Sequence, residues 1–504
     1  MKLFKSAQVR EIDSYTIKNE PISSIDLMER ASINFANWFC KKFDSAKKVV
    51  VFSGPGNNGG DGLAVARILS GRNFNVQVYL LDFGRGLSED CQLNLNRLKL
   101  LKDVRLDILS ESDSVPEISG EARIIDAIFG SGLSRPVKAF PKKIIQYINS
   151  QESTVISVDI PSGLFGEDNS TNDLESIVKA DYTLSFEFPF LAFFFSDNNS
   201  VVGKWDTVSI GIHKDIVNAT PSKYLYVEES FIKSLFRRRD EFSHKGSYGH
   251  ALMIAASYGM MGAAVLATKA CLRTGVGLVT AHLPRLGYEI MQTSVPEALI
   301  SIDPSDKIFS DIASLEKYNA IGIGPGLTTN SITAKATLKL ISDSKLPMIL
   351  DADALNILSE NKDSLTALAY DTIISPHPGE FDRLAGKSYS GYERHLKQVE
   401  MSMKYGLIII LKGKYTIISL PTGESFINPT GNSGLATGGS GDVLTGIITS
   451  LLAQNYTPTE ASIFGVYLHG FAADLALDHQ SQESLLPSDV IDNLGRAFKV
   501  LGEK

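Results

Sequence analysis

Cysteine is scarce: Cys40, Cys91 and Cys271 are the only three in 504 residues, widely spaced and without a C-x-x-C pair. That excludes a thiolate zinc site and a disulfide framework, and it suits a reducing, cytoplasmic location. Long apolar runs are lacking too. The most apolar stretch, 186–195, reaches only about half the ~20 residues of a membrane-spanning helix and contains Glu187 and Pro189, so it reads as a buried strand with its loop. Met1-Lys2-Leu3-Phe4-Lys5 runs straight into charged and polar residues, which predicts no signal peptide. Clustered basic charge is missing as well, at a formal net charge of −8, and that disfavours a broad nucleic-acid surface. Arg237-Arg238-Arg239 is the exception, and the acidic residues after it make it read as a solvated helix end. Neither nucleic acid nor a membrane is expected as a partner.

What remains is an ordinary globular composition, 43% hydrophobic and 21% charged, in a chain too long for one core. Short β-rich runs at 48–53, 75–82, 122–127, 154–159, 181–187 and 206–210 alternate with helix-like stretches. Such alternation predicts a parallel sheet covered on both faces, with the first forty residues adding helices around Leu27, Met28, Ala31 and Phe35. The pattern fades over 213–243 and resumes with strands near 251–255, 278–282, 320–324, 347–351, 371–375, 407–411 and 415–420, before a helix-rich 440–500. The expected organisation is an α/β protein of two domains, 1–215 and 244–504, joined by a linker at 216–243.

Gly54-Pro55-Gly56-Asn57-Asn58-Gly59-Gly60-Asp61-Gly62 follows the apolar run ending at Phe52 and opens a helical pattern. A glycine-rich turn at a helix N-terminus favours an anion through its open N–H groups and the helix dipole. Gly54, Gly56 and Gly59 also satisfy the dinucleotide fingerprint, with Asp82 in the acidic position. Asp126 and Asp159 each end a strand, and Ser162 follows in Asp159-Ile160-Pro161-Ser162-Gly163. Ligands of open α/β sheets bind at the carboxyl ends of strands, so three such turns would converge; singly, each Asp could be a helix cap. The set GPGNNGGDG, DAIFGSGLSRP, SVDIPSG and GKWDTVSIGI resembles the NAD(P)H-hydrate epimerase family, the YjeF N-terminal domain, over about 5–212. The resemblance implies a Rossmann-like three-layer sandwich. By it, Asn57, Asn58, Gly59, Gly60, Asp61, Gly130, Ser131, Gly132, Leu133, Ser134, Arg135 and Pro136 would hold the hydrated dinucleotide. Asn58, Asp126 and Ser162 would ligate K+, and Asp159 would be the acid/base. The chain departs from the family at Phe165, where an acidic residue is usual. Asp82 then needs no ribose role.

In the second half, Thr437-Gly438-Gly439-Ser440-Gly441-Asp442 leads into an apolar helical run, a second anion hole that is no Walker loop. It resembles the ribokinase-like kinases, in which the Asp takes a proton from the attacking hydroxyl. His244-Lys245-Gly246, Gly262-Ala263-Ala264, Gly324-Pro325-Gly326, Asp351-Ala352-Asp353, Pro376-His377-Pro378-Gly379-Glu380 and Lys412-Gly413 occur in that order. Together they resemble the ADP/ATP-dependent NAD(P)H-hydrate dehydratase family over about 240–500, which implies a ribokinase-like three-layer sandwich. Ala263, Gly326, His377 and Asp442 would then contact the hydrate. Lys412, Gly413, Lys414, Tyr415, Thr416 and Gly441 would hold the adenine nucleotide. His377, between two prolines, could instead be structural; His469 reads as a core residue; Asp351 and Asp353 could support Mg2+ or cap a helix.

The expected activity is repair of NADHX and NADPHX: epimerisation by the first domain, then ADP- or ATP-dependent dehydration by the second, with K+ and Mg2+ as ions and a homo-oligomer as the assembly. Two other readings stay open at this point. A small-molecule kinase shares the Gly-Gly-x-Gly-Asp hole, and an RNA-processing scaffold shares the first half.

Overall fold

The computed structural model describes residues 1–502. Contacts divide the chain into two compact units, one over Lys2–Ser222 with Ser390–Tyr392, the other over Lys223–Tyr389 and from Glu393 onward.

In the first unit, seven strands form one sheet. They are β1 (Val49–Ser53), β2 (Val76–Leu81), β3 (Arg105–Leu109), β4 (Arg123–Ala127), β5 (Thr154–Val158), β6 (Tyr182–Phe186) and β7 (Lys204–Val208). Their order is β3-β2-β1-β4-β5-β6-β7, every pair parallel. β1, β2 and β4 are buried along their whole length, as β-branched runs covered on both faces must be. Helix Ser24–Lys42 is capped by Ser23, whose hydroxyl accepts from Asp26 N, and lays Phe35 and Phe39 into the sheet with no exposure. Each such ring contributes about 1.5–3 kcal/mol by leaving water. The order reverses between β1 and β4, so the turns after these strands lie side by side at the switch point.

The second unit carries β8 (Tyr224–Tyr226), β9 (His250–Ile254), β10 (Leu278–Leu283), β11 (Leu299–Ile302), β12 (Ala320–Ile323), β13 (Met348–Leu350), β14 (Ile373–Ile374), β15 (Ile408–Leu411), β16 (Ile417–Ser419) and β17 (Ser425–Ile427). They run β8-β17-β16-β15-β14-β13-β12-β9-β10-β11, parallel from β15 through β11, with β16 antiparallel to both its neighbours. Helix Ser440–Ala453 is buried on every side from Val443 onward, pressed between this sheet and helix Met261–Arg273.

Some expectations need correction. The stretch 216–243 is no plain linker: β8 pairs in parallel with β17, and helix Glu229–Leu235 follows. Elements this short hold too few residues for a period to show. For the same reason β3, β11 and β17 escaped the pattern reading. Edge strands β3 and β11 are partly solvated and carry no continuous apolar run.

Gly446 lets the two central helices touch: a Cβ there would lie 2.1 Å from Ala267 O. Gly446→Ala is therefore expected to destabilise the second unit by about 1–3 kcal/mol through overpacking. Scanning calorimetry of the full chain should show one transition lowered and the other unmoved; an unchanged thermogram would contradict this contact.

Candidate active sites

The first site begins with backbone pressed on backbone. A Cβ on Gly54 would stand 2.0 Å from Ile128 O, and one on Gly59 would stand 1.7 Å from Gly54 O. Glycine is required here by proximity, for neither residue has positive φ. Helix Asn57–Ser70 starts directly in the turn, and Gly60 N makes its first internal bond, to Gly56 O at 3.1 Å. Its first N–H groups are left pointing out of the helix end. Asn58 is buried with its Nδ2 unpartnered among the described residues, and Gly130 lies against its side chain, a Cβ there falling 3.3 Å from Asn58 Cβ. Gly132, Ser134 and Arg135 are exposed beyond it, with Ser131, Leu133 and Pro136 half-buried.

Asp126 is fully buried on β4. Its Oδ2 accepts from Ser157 Oγ and Ser162 N, both at 2.8 Å, and its Oδ1 accepts from Ile128 N at 3.3 Å. Ser162 Oγ in turn accepts from Phe129 N at 2.8 Å. Asp126 and Ser162 thus clamp two loops together. Burial still raises the Asp126 pKa, and no cation is among the groups acting on it. Asp159 sits just past β5 at φ 66°, a conformation that costs a non-glycine residue energy and is retained mainly at functional positions. Its Oδ1 is shared by Ser185 Oγ and Phe186 N, both at 3.3 Å. Burial pushes it up to about 6. Asp61 rises further, through burial and then the charges of Asp159, Asp13 and Asp90. Asp13 was invisible in the sequence reading, because it lies in an ordinary amphipathic helix with no motif around it. Asp82 only closes its own turn, accepting from Gly84 N at 2.8 Å. Phe165 heads a loop closed by Asn169, through Phe165 N to Asn169 Oδ1 and Asn169 Nδ2 to Phe165 O, both 2.9 Å.

The second site gathers at the carboxyl ends of β9, β12, β13, β14 and β15. Gly324, at φ 134°, lies so close to the next turn that a Cβ would be 1.8 Å from Asp351 O. Gly326 is brought against Ala263, at 3.2 Å from the Cβ it lacks to that of Ala263. Asp351 is the hub. Its Oδ1 accepts from Lys412 Nζ and Ala352 N, both at 2.8 Å, and its Oδ2 from Thr445 Oγ1 at 2.9 Å. Asp353 accepts from Thr328 N at 2.8 Å and Asn356 Nδ2 at 3.2 Å. Both carboxylates are engaged by the protein's own donors and do not form a ready Mg2+ cage. Lys412 Nζ and Asp351 Oδ2 lie 3.4 and 3.3 Å from where a Gly441 Cβ would be, so the lysine ammonium stands at the mouth of helix Ser440–Ala453. Asp442, in that helix's first turn, is pushed up to about 6 by burial and by Asp351, against Lys412.

His377 is structural at one ring nitrogen. Its Nδ1 caps helix Pro378–Ala385, accepting from Gly379 N at 3.0 Å and Glu380 N at 3.4 Å, while half its side chain stays exposed with Nε2 3.6 Å from Glu380 Oε1. Gly413, Lys414, Tyr415 and Thr416 form the turn from β15 into β16, with Thr416 Oγ1 donating to Gly413 O at 3.2 Å and Lys414 Nζ to Gly431 O at 3.0 Å. Asp474, which carried no sequence signal, fixes the facing loop by accepting from Gly431 N at 2.9 Å and Asn432 Nδ2 at 3.0 Å. His469 is buried, as expected of a core residue, and burial lowers it to about 4. The arginine cluster lies exposed at the end of helix Glu229–Leu235, as its charge pattern predicts. Arg237 reaches Asn455 O at 3.0 Å and Arg238 reaches Gly502 O at 2.6 Å, so both serve carbonyls at helix C-termini.

The fold and these sites define a two-unit α/β protein, with buried strand-end carboxyl groups beside a glycine-rich turn in one unit and a carboxyl group in the first turn of a glycine-led helix in the other. Comparison with known proteins makes the class particular. Residues 251–496 match the NAD(P)H-hydrate dehydratase family and 24–192 the YjeF-related N-terminal family. The bifunctional NAD(P)H-hydrate repair enzyme of Moorella thermoacetica is 33% identical over 100% of this chain and 98% of its own. That of Coxiella burnetii is 32% identical over 98% of each. A ribokinase-like superfamily protein of Enterococcus faecalis, 25% identical, covers 56% of this chain and 99% of its own at a TM-score of 0.50. The chain belongs to the bifunctional NAD(P)H-hydrate repair enzymes.

The raised Asp442 pKa has a consequence for stability. Its folded-state value exceeds the ordinary 3.8, so the fold holds the proton more tightly than the unfolded chain does. The stability this gives is complete below about pH 4 and is lost as pH rises through about 6. Asp442→Asn, which never ionises, is expected to raise the melting temperature of the second unit at pH 8 and not at pH 4. A variant equally stabilised at both would contradict burial of the charge.

Proposed function

We propose that the first unit interconverts the R and S epimers of NADHX and NADPHX, and that the second dehydrates the S epimer with ADP or ATP as phosphoryl donor. The observation that carries the second half is the placement of Asp442 and Lys412 at one helix mouth. Asp442 takes the proton from the ring hydroxyl, and the nucleotide's terminal phosphoryl moves to that oxygen. The N–H groups of Ser440 and Gly441 and the Lys412 ammonium stabilise the charge on the phosphoryl group in flight. Ring-nitrogen electrons then expel phosphate and restore the dihydropyridine. Hydroxide is a poor leaving group and phosphate a good one. Ala263, Gly326 and His377 would face the hydrate; Lys412, Gly413, Lys414, Tyr415, Thr416 and Gly441 would hold the nucleotide. Mg2+ would arrive with the nucleotide, since Asp351 and Asp353 are engaged.

For the first unit, the support is Asp159, a buried carboxyl group at positive φ that can hold a proton near neutrality. Asn57, Asn58, Gly59, Gly60, Asp61 and the 130–136 loop would bind the dinucleotide. Asn58, Asp126 and Ser162 suit K+, as hard oxygens around a buried carboxylate with no basic neighbour; the ion would supply that charge balance. No helix among the described residues is long and apolar enough to cross a membrane. The three free cysteines fit a cytoplasmic location. Self-association is proposed from the exposed Leu286, Tyr288, Ile290, Leu299 and Ile302 around edge strand β11.

Incubating mixed hydrate epimers with each nucleotide and following them by chromatography tests the whole reading. Both epimers should convert to reduced dinucleotide. Asp442→Asn should lower nucleotide-dependent dehydration by about 10³-fold or more and leave epimerisation intact. Near-wild-type dehydration in that variant would remove Asp442 from the chemistry.

A further inference from the structure

The first site has a wall that no glycine-rich turn supplies. Helix Ser6–Asn19 is tied at one end to Glu167, which accepts from Ser6 N at 2.6 Å and Ser6 Oγ at 3.0 Å. At the other end Thr16 Oγ1 accepts from His213 N at 3.2 Å, and Tyr15 meets the His213 ring edge-on at 5.6 Å. Arg10 and Asp13, one turn apart, therefore share a fixed face. Arg10 Nη1 lies 3.6 Å from the Cβ position of Gly132, in the loop that would hold the dinucleotide. Asp13 lies between Arg10 and Thr16 on this helix, within electrostatic reach of Asp159 and Glu187, which stand past the ends of the adjacent strands β5 and β6.

Asp13 is half-buried yet accepts no hydrogen bond among the described residues. Glu187 is engaged, accepting from Ser209 Oγ at 2.9 Å and Ile210 N at 2.7 Å. Asp159 has only its Oδ1 occupied. From the glycine-rich helix, Asp61 adds a further acid within electrostatic reach of both. The charged groups acting on Asp13 are thus carboxylates; burial first, then Asp159 and Glu187, push it up to about 7. Asn58, buried with an unpartnered Nδ2 among the described residues, lies against Gly130 in the same loop that Arg10 approaches at Gly132.

Inverting one carbon through a planar cation needs proton transfer on both faces. The hydroxyl leaves as water only with a proton from an acid on its own face. Water returning to the opposite face must lose a proton to a base there. One carboxyl group reaches one face.

Resting on the epimerase reading of this site, we propose that Asp13 is a second catalytic carboxyl group, set across the hydrated ring from Asp159. The protonated member gives its proton to the hydroxyl, the C–O bond breaks, and the ring-nitrogen lone pair forms the C=N bond of an iminium ion. A water adds to the other face, the nitrogen recovers its pair, and the ionised member takes the released proton. The net change is inversion plus transfer of one proton from one carboxyl to the other, which leaves the pair set for the reverse direction.

The test uses the full chain, a single purified epimer and 18O-labelled water, with epimer ratio read by chromatography and isotope by mass spectrometry. Asp13→Asn is expected to lower inversion by about 10²-fold or more. It should keep 18O exchange into the starting epimer, through loss and return on the face of Asp159, and keep nucleotide-dependent dehydration as evidence of folding. Asp13→Glu is expected to regain inversion. Inversion within a few-fold of wild type in Asp13→Asn overturns the proposal. So does a parallel loss of exchange and inversion, or a folded Asp13→Glu no better than the amide. A wild type that inverts no faster than the uncatalysed hydrate overturns the epimerase reading itself.

Discussion

In both units the turns after neighbouring parallel strands lie backbone against backbone, and only glycine permits it. Gly54 abuts the carbonyl of Ile128 and Gly324 that of Asp351, each so closely that a single Cβ would fall within 2.0 and 1.8 Å of the oxygen. Everything chemical depends on that contact. It places the helix starting at Asn57 beside Gly130 in one unit, and Asp351 beneath Gly441 in the other. A side chain at either glycine would force the turns apart and dissolve the site while leaving the sheet intact.

The same architecture serves two chemistries because the carboxylates are partnered differently. Around Asp159 the charged neighbours are acids, Asp61 and Asp13; burial raises all three, and the charge of Asp159 adds to the rise of the other two. That environment suits moving a proton on and off a hydroxyl. In the second unit Lys412 is bound to Asp351 and stands at a helix N-terminus, where its ammonium and the helix dipole would both meet a phosphate. Asp442 alone is left with a free carboxylate at that mouth.

Much of this was legible beforehand. Strands β1, β2, β4, β5 and β6 are short β-rich runs, and the turns after them hold residues too polar and too small to be core. Asp126, Asp159, Ser162 and Asp442 stood out because each ends a strand or opens a helix. What escaped were elements without a period, β3, β8, β11 and β17, and residues without a local motif. Asp13, Arg10, Thr445 and Asp474 acquire meaning only through partners far away in sequence. In sequence His377 reads as structural or ligand-contacting, and the structural role is the one on view: its Nδ1 caps a helix and its Nε2 lies 3.6 Å from Glu380 Oε1.

The sequence alone determined the class of fold, the two glycine-rich anion holes and the strand-end acids, because period, turn chemistry and spacing are local properties of the chain. The tertiary structure decided which acids face one another, which are neutralised, and which merely hold loops. In sequence Asp351 reads as support for Mg2+ or a helix cap, and Asp442 as the group that takes a proton. One is sealed by Lys412 and Thr445, the other left open, because burial and charge pairing depend on side chains that meet only when the sheet closes.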